Sequence, residues 1–214
     1  MKRGILLVVI ATAMLMTANA QGVRFGIKGG VNISSLADYE FSLSYEDAEL
    51  GEKVGAYAGV FTQILFTPQL GLETGLYYSM LGGRDKENDY GEQYKITADP
   101  AYLQLPVSVI YKFNITEDFA LYPSVGLYTG YGVSGKIKSV GSIGVVDVSS
   151  EYDYFDNYAK RFDFGGTMGA NLQYKNVVLG FACDRSFTRV NEKKIVFGDN
   201  AFNSNFRITL GYIF

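Results

Sequence analysis

Large apolar residues recur at every second position along most of this chain, and the alternation predicts eight β-strands. A strand with one apolar and one polar side has this two-residue period. The last nine residues show the period most clearly, because Phe206, Ile208, Leu210, Tyr212 and Phe214 share one parity. The eight predicted strands span residues 22–33, 53–66, 70–82, 101–113, 119–135, 161–174, 177–189 and 204–214.

The connections between these strands alternate between short and long. Residues 67–69, 114–118 and 175–176 are tight turns. Short turns at one rim and long loops at the other are typical of an up-and-down barrel inserted into a membrane in one direction. We therefore predict an all-β fold, an eight-stranded antiparallel transmembrane β-barrel with short periplasmic turns, long extracellular loops and both termini in the periplasm. The predicted long loops span residues 34–52, 83–100, 136–160 and 190–203.

The two sides of the predicted strands differ in polarity. One parity is apolar and carries no charge in any strand centre, which suits a wall that faces lipid, and Arg185 on this parity lies near the long loops. A soluble barrel with an apolar interior is the alternative, but its outer wall would be unusually rich in glycine and poor in charge. The opposite parity carries seven charged residues, which we predict form a structural network in the lumen: Arg24, Lys28, Glu73, Lys112, Asp163, Asp184 and Arg207.

Closure of the barrel would bring part of this network together. The last strand must pair with the first, so Arg207 is expected on the same inner wall as Arg24 and Lys28. Side chains just fill the interior of an eight-stranded barrel, and unpaired charge is costly there. Glu73, Asp163 or Asp184 should therefore reach across the lumen to this basic stripe. A narrow ion path or an anion site beside the basic residues is the alternative.

The first twenty residues have a different pattern from the rest. Lys2 and Arg3 precede an apolar stretch, and residues 18–20 fit a small-x-small cleavage site, as in a secretory signal peptide. We predict that residues 1–20 are removed and that residues 21–214 form one barrel domain. The mature chain would hold 17 basic and 22 acidic residues, a net charge of −5, without the basic excess expected of a nucleic-acid binder.

The residue inventory argues against catalysis. The chain has no histidine, so it lacks the base of Ser-His-Asp and related mechanisms. Cys183 is the only cysteine and lies on the apolar parity, where it suits a small apolar residue better than a nucleophile or a zinc ligand. We predict no enzyme activity, no catalytic residue, no cofactor and no metal site. Calcium at Glu151, Asp153 and Asp156 is an alternative, although the spacing is not that of an EF-hand.

Four strand motifs resemble the PorT-type outer-membrane β-barrel domain. They are FGIKGGVNIS at 25–34, VGAYAGVF at 54–61, ETGLYYS at 73–79 followed by two glycines at 82–83, and YLQLPV at 102–107. The resemblance covers essentially the whole mature chain. It implies a small outer-membrane barrel of a family in which most members have no assigned activity and the namesake belongs to a protein secretion machine.

These patterns together predict a scaffold in the outer membrane of a Gram-negative bacterium. The expected partners are outer-membrane lipid and lipopolysaccharide, the barrel-assembly machinery through the strand ending at Phe214, and a protein at the long loops. Alternation within 136–160 predicts a hairpin above the membrane whose edge could receive a partner strand. A subunit of a secretion or envelope-assembly complex and a narrow solute or ion channel are the alternative functions.

Overall fold

The computed structural model describes residues 22–38, 50–89, 92–143, 146–157, 159–189 and 201–214. Thirteen strands and one short helix lie within these residues. The elements are β1 (Gly22–Asp38), β2 (Leu50–Leu65), β3 (Leu70–Met80), β4 (Gly83–Asp89), β5 (Glu92–Ala98), β6 (Ala101–Tyr111), β7 (Phe113–Asn114), β8 (Phe119–Ser134), β9 (Lys136–Ile143), β10 (Val146–Asp153), α1 (Tyr154–Asn157), β11 (Phe162–Tyr174), β12 (Val177–Ser186) and β13 (Ala201–Ile213). No helix among them is long and apolar enough to cross a membrane.

Eight of the strands form a closed antiparallel barrel. Strands β1, β2, β3, β6, β8, β11, β12 and β13 pair in this order, and the short β7 adds to the end of β8. The barrel closes because β13 pairs with β1 from Gly26 opposite Ile213 to Asp38 opposite Ala201. The predicted eight-stranded antiparallel up-and-down barrel is therefore confirmed, including the pairing of the last strand with the first.

The two ends of the barrel differ. Tight turns join β2 to β3, β7 to β8 and β11 to β12, and we call this rim the turn end. In the first turn the amide of Phe66 donates to the carbonyl of Leu70 at 2.9 Å, and in the last Lys175 adopts a φ of 51°, as two-residue hairpin turns require. The opposite rim, where the remaining connections leave the barrel, is the loop end.

A second sheet stands at the loop end, and we call it the loop-end sheet. The order of its strands is β2, β4, β5, β9 and β10, and it joins the barrel where Gly51 on β2 pairs with Arg84 on β4. The predicted hairpin within 136–160 is confirmed as β9 and β10. The interpretation of 83–100 as a long loop is wrong, because β4 and β5 form a hairpin there. This hairpin lies outside the barrel wall, where the alternation that marks barrel strands is not required.

Three barrel strands are longer than predicted at the loop end. β1 continues to Asp38 and β2 begins at Leu50, while β13 begins at Ala201. The predicted loop 34–52 therefore starts and ends in strand. The extension follows backbone pairing, because the β1–β13 ladder continues to Asp38 opposite Ala201 and Leu36 on β1 pairs with Leu50 on β2. Most of the predicted loop 190–203 lies outside the described residues.

Side chains alternate between the outer wall and the lumen along every barrel strand. Large apolar side chains on the outer wall are exposed, with Phe25 at 59%, Leu210 at 61% and Met168 at 64% of their surface. The core lies on the other side, inside the barrel. Its buried apolar cluster consists of Tyr57, Phe61, Leu65, Tyr77, Ile110, Tyr122, Val178 and Ile213.

The candidate functional site in the barrel lumen

The centre of the lumen is filled by stacked tyrosines. The rings of Tyr57 and Tyr77 lie 4.7 Å apart at an angle of 17°, and both side chains are buried. Glycine makes room for them, since a Cβ on Gly59 or on Gly75 would lie 2.5 or 2.7 Å from the Tyr77 ring. These inward tyrosines are not among the residues singled out from the sequence. Their parity, shared with the inward glycines and charges, is the signal that could have found them.

One buried ion pair lies beside these tyrosines. Nη2 of Arg207 is 2.8 Å from Oδ1 of Asp184 and 3.2 Å from the hydroxyl of Thr167. Asn205 donates to the second Asp184 oxygen at 3.1 Å. The guanidinium also lies 4.8 Å from the centre of the Tyr57 ring. Arg207 and Asp184 are 7% and 5% exposed, so the two charges neutralise each other away from bulk water.

A second ion pair lies nearer the turn end. Nζ of Lys28 donates to one carboxylate oxygen of Glu73 and lies 4.3 Å above the Phe61 ring. Gln63 donates to the other Glu73 oxygen at 2.8 Å and also contacts the Tyr122 hydroxyl at 3.2 Å. Since β2 lies between β1 and β3, the Lys28–Glu73 pair bridges two strands that are not neighbours.

Lys112 and Arg24 lie at the turn end without a carboxylate partner among the described residues. Nζ of Lys112 donates to the amide oxygens of Gln63 at 2.7 Å and Gln173 at 3.0 Å and lies 5.0 Å from the Tyr122 ring centre. Within the same residues, the side chain of Arg24 forms neither a hydrogen bond nor an ion pair. Both basic residues line a cavity of about 800 Å³ that opens at the turn end.

Asp163 lies at the loop end of the lumen and is held by neutral donors. The hydroxyls of Ser186 and Thr188 donate to Oδ1 at 2.5 and 3.1 Å. Asn203 and Tyr128 donate to Oδ2 at 3.0 and 3.3 Å. No cation of the described residues is paired with this carboxylate. Negative charge at the loop end thus faces positive charge at the turn end.

The basic stripe expected at the seam is staggered. Arg207 faces Asn32 across the β1–β13 ladder, and Lys28 faces Gly211 four residues further toward the turn end. Two of the three acidic residues pair with the stripe, but from nearby strands rather than across the lumen as expected. Glu73 reaches Lys28, and Asp184 reaches Arg207 from the adjoining strand, whereas Asp163 contacts none of the stripe residues.

Little free space remains between these layers. The cavity in the middle of the lumen, lined by the Lys28–Glu73 pair, Arg207 and the stacked tyrosines, has a volume of about 40 Å³. A volume of this size holds roughly three water molecules. The side chains thus divide the lumen into a closed centre and the open cavity at the turn end.

The residues considered for calcium are engaged otherwise. Glu151 is paired with Lys136, and Oδ1 of Asp153 accepts the amide of Phe155 at 2.9 Å. The side chain of Asp156 lies outside the described residues. Across the described ranges, no three His, Cys, Asp or Glu side chains are grouped as metal ligands. Cys183 lies exposed on the outer wall.

A closed eight-stranded barrel with an exposed apolar outer wall and a polar, filled lumen defines a small β-barrel of the membrane-spanning class. The sequence pattern of the outer membrane protein beta-barrel domain family matches residues 18–191. The chain therefore belongs to this family and is an outer-membrane β-barrel protein. The match is to the general family, and the PorT-type resemblance within it stays a prediction.

Solved barrel structures resemble this fold at low sequence identity. The outer membrane protein OprG from Pseudomonas aeruginosa has 13% identity and a TM-score of 0.47, covering 92% of this chain and 97% of that one. Neisserial surface protein A (NspA) has 12% identity and a TM-score of 0.45, covering 91% and 100%. Ail, the attachment invasion locus protein of Yersinia pestis, has 16% identity and a TM-score of 0.40, covering 89% and 98%. No curated protein matches the sequence.

Proposed function

We propose that this protein is a non-enzymatic scaffold of the outer membrane that presents its loop-end sheet to a protein partner. The proposal rests on a structural difference between the lumen centre and the loop end of the barrel. The lumen centre is packed with tyrosines and ion pairs, which suits a rigid support rather than a conduit. The loop end extends into additional paired strands, which a support alone does not need.

We assign the turn end to the periplasm and the loop end to the cell exterior. Short turns of transmembrane barrels face the periplasm and longer connections face outward. With this orientation both termini are periplasmic and residues 1–20 act as a removed signal peptide. The strand ending at Phe214 is then the segment that the barrel-assembly machinery receives, and the outer wall contacts lipid and lipopolysaccharide.

The free edge of β10 is the proposed contact. In the described part of the chain, β10 pairs with β9 and is the last strand in the order of the loop-end sheet. Such an edge can receive an extended segment of another protein as an added strand. The exposed ion pair between Lys136 and Glu151 joins the two strands of this hairpin and fixes their register at the base.

The two alternative functions make different use of the same barrel. A narrow channel needs a continuous aqueous path, and the closed lumen centre opposes it. A subunit of a secretion or envelope-assembly complex would use the same loop-end sheet or the turn-end rim for stable attachment to a machine. That function differs from the proposed one in the identity of the partner and in the end of the barrel that binds it.

Photo-crosslinking in intact cells tests the proposal. A photoreactive residue at Ser150 on β10 is expected to give a discrete protein adduct, whereas the same residue at Thr116, in an exposed turn at the opposite rim, gives none. Adducts only from Thr116 would favour an envelope-assembly role. Absence of an adduct at every position tried along β10, with the barrel folded on an unheated gel, would refute the edge as a contact.

A further inference from the structure

The cavity at the turn end, which we call the turn-end cavity, has an imbalance of charge that the proposed scaffold does not explain. Three basic side chains, Arg24, Lys28 and Lys112, point into this half of the lumen together with the acidic Glu73, while Glu117 and Asp118 lie on the exposed turn at the rim. Arg24 and Lys28 lie close enough to Lys112 for their charges to repel its ammonium group. Glu73 is paired with Lys28 and accepts a hydrogen bond from Gln63, and its charge also attracts the Lys112 ammonium group. Arg24 and Lys112 are thus left without a directly paired carboxylate among the described residues. Lys112 is also buried, and a buried charge is costly unless an anion lies beside it.

Lys112 uses two of its three hydrogen-bond donors among the described residues. The side chain is only 3% exposed and lines the turn-end cavity. An ammonium group has three N–H donors. Gln63 and Gln173 accept two of them, and Gln173 is itself fixed because its amide nitrogen donates to the carbonyl of Lys175 at 2.7 Å. The ammonium also contacts the Tyr122 ring, but no hydrogen-bond acceptor for its third donor lies among the described residues, so a buried cation beside an open cavity keeps a donor for a ligand.

Arg24 stands next to this lysine. Across the β1–β2 ladder Arg24 faces Gln63, the residue that binds Lys112. The guanidinium of arginine matches the oxygens of a phosphate in a two-pronged hydrogen bond, and lysine adds a compact charge. A phosphate dianion would neutralise the two unbalanced charges at once, which a single carboxylate would not. The cavity volume of about 800 Å³ leaves room for the rest of a small molecule.

The rim of the turn-end cavity weakens this positive field only slightly. Lys175 and Asp118 form a pair at 3.6 Å in which both side chains are more than half exposed. Glu117 is exposed on the same turn, where water and salt screen its charge. Over the whole lining, Arg24, Lys112 and Lys175 stand against Glu117 and Asp118, a net charge of +1. Of these five side chains Lys112 is buried, whereas the other four are exposed.

We propose that the turn-end cavity binds the phosphate group of a small soluble ligand, with Arg24 and the free donor of Lys112 as the two charged contacts. In the proposed orientation the ligand enters from the periplasm. The site lies at the opposite end of the barrel from the loop-end sheet, so failure of the phosphate experiment would not affect the proposed scaffold function.

Titration of the refolded full chain with inorganic phosphate in a zwitterionic detergent tests the site. Side-chain amide signals of Gln63 and Gln173 are followed by NMR at constant ionic strength. Saturable shifts are expected with phosphate, with acetate binding at least about tenfold more weakly. Arg24→Gln and Lys112→Gln should each weaken phosphate binding by about tenfold or more, since each removes one charge-assisted hydrogen bond. Shifts that sodium chloride reproduces at the same ionic strength would overturn the proposal.

Two control variants separate the site from general effects of charge. Lys138→Gln removes one exposed positive charge at the loop end and should change the phosphate dissociation constant by less than about twofold. Glu117→Gln removes a negative charge from the rim of the cavity and should strengthen phosphate binding. An equal loss of binding in Lys138→Gln and Lys112→Gln would overturn the assignment. Every variant is first checked for the folded band on an unheated gel, and Arg24→Gln, whose side chain is exposed, keeps the test informative if Lys112→Gln does not fold.

The source of the phosphate is tested in lipid nanodiscs. A soluble ligand predicts equal affinity for inorganic phosphate in discs of phosphatidylcholine and in discs that also contain phosphatidylglycerol. A markedly lower affinity in the phosphatidylglycerol discs would mean that a lipid headgroup competes for the cavity, and it would overturn the soluble source.

Discussion

Replacement of Arg207 by methionine is expected to destabilise the barrel by about 3–5 kcal/mol, the usual cost of breaking a buried ion pair from one side. Methionine keeps much of the length of the side chain but removes its charge and its donors. Asp184, 5% exposed, would lose its contact at 2.8 Å and keep only the hydrogen bond from Asn205 at 3.1 Å. The cation would also leave the face of Tyr57, from which it now lies 4.8 Å away. The main cost is therefore an uncompensated carboxylate inside the barrel.

A double variant distinguishes this cost from a general loss of packing. Arg207→Met combined with Asp184→Leu removes both charges together, and we expect stability to return to within about 1–2 kcal/mol of the unmodified protein. Arg185→Met is the matched control, because Arg185 directly follows Asp184 on β12 and has the opposite parity, on the outer wall. Its expected effect is less than about 1 kcal/mol.

The free energy of unfolding is measured by urea titration in lipid vesicles, followed by far-ultraviolet circular dichroism or by tyrosine fluorescence, since the chain has no tryptophan. Equal stability of Arg207→Met and Arg185→Met would refute the reasoning. The same conclusion would follow if the double variant were less stable than Arg207→Met, because the carboxylate would then not be the source of the cost.

Three further predictions concern the helix α1, the hairpin before it and the outer wall. A Cβ on Gly132 would lie 2.2 Å from the Phe155 ring. Gly132→Val should therefore displace α1 and increase the rate of proteolysis at α1, and an unchanged cleavage rate would contradict this packing. The hydrogen bond from Lys136 holds the pKa of Glu151 below its ordinary value of 4.5, and the pairing is lost as the pH falls through this lowered pKa. NMR titration of Glu151 should therefore give a midpoint below 4.5 that rises toward 4.5 in Lys136→Gln. Identical midpoints in the two proteins would contradict the pairing. A nitroxide label on Cys183 should collide more often with oxygen than with a water-soluble nickel complex, and the reverse order would place this wall in water.

The barrel strands were predictable because each of them separates two different environments. Lipid on one side and a packed polar lumen on the other impose a two-residue period from Val23 to Phe214. The hairpin of β4 and β5 lies in the polar segment 83–100, where no such period is imposed, so the sequence pattern predicts a loop there. The ends of β1 and β13 were missed for a related reason, since backbone pairing alone extends them.

The sequence predicts which charged residues face the lumen but not which of them form ion pairs. Parity alone selects the inward charges, and the structure buries Lys28, Lys112, Asp163, Asp184 and Arg207. Which of them pair depends on register and on side-chain reach. Lys28 pairs with Glu73 past an intervening strand. Asp163 accepts hydrogen bonds from neutral hydroxyl and amide groups, which a search of the sequence for charged residues does not select.

The measurement that tests the central claim most directly is single-channel recording in a planar lipid bilayer, because the proposed scaffold requires a lumen closed by its own side chains. The unmodified protein is expected to give no conductance steps at any voltage. The double variant Tyr57→Ala and Tyr77→Ala, which removes the stacked rings at the lumen centre, should open measurable steps and so prove that insertion occurs. Regular steps from the unmodified protein would contradict the closed lumen and favour the channel.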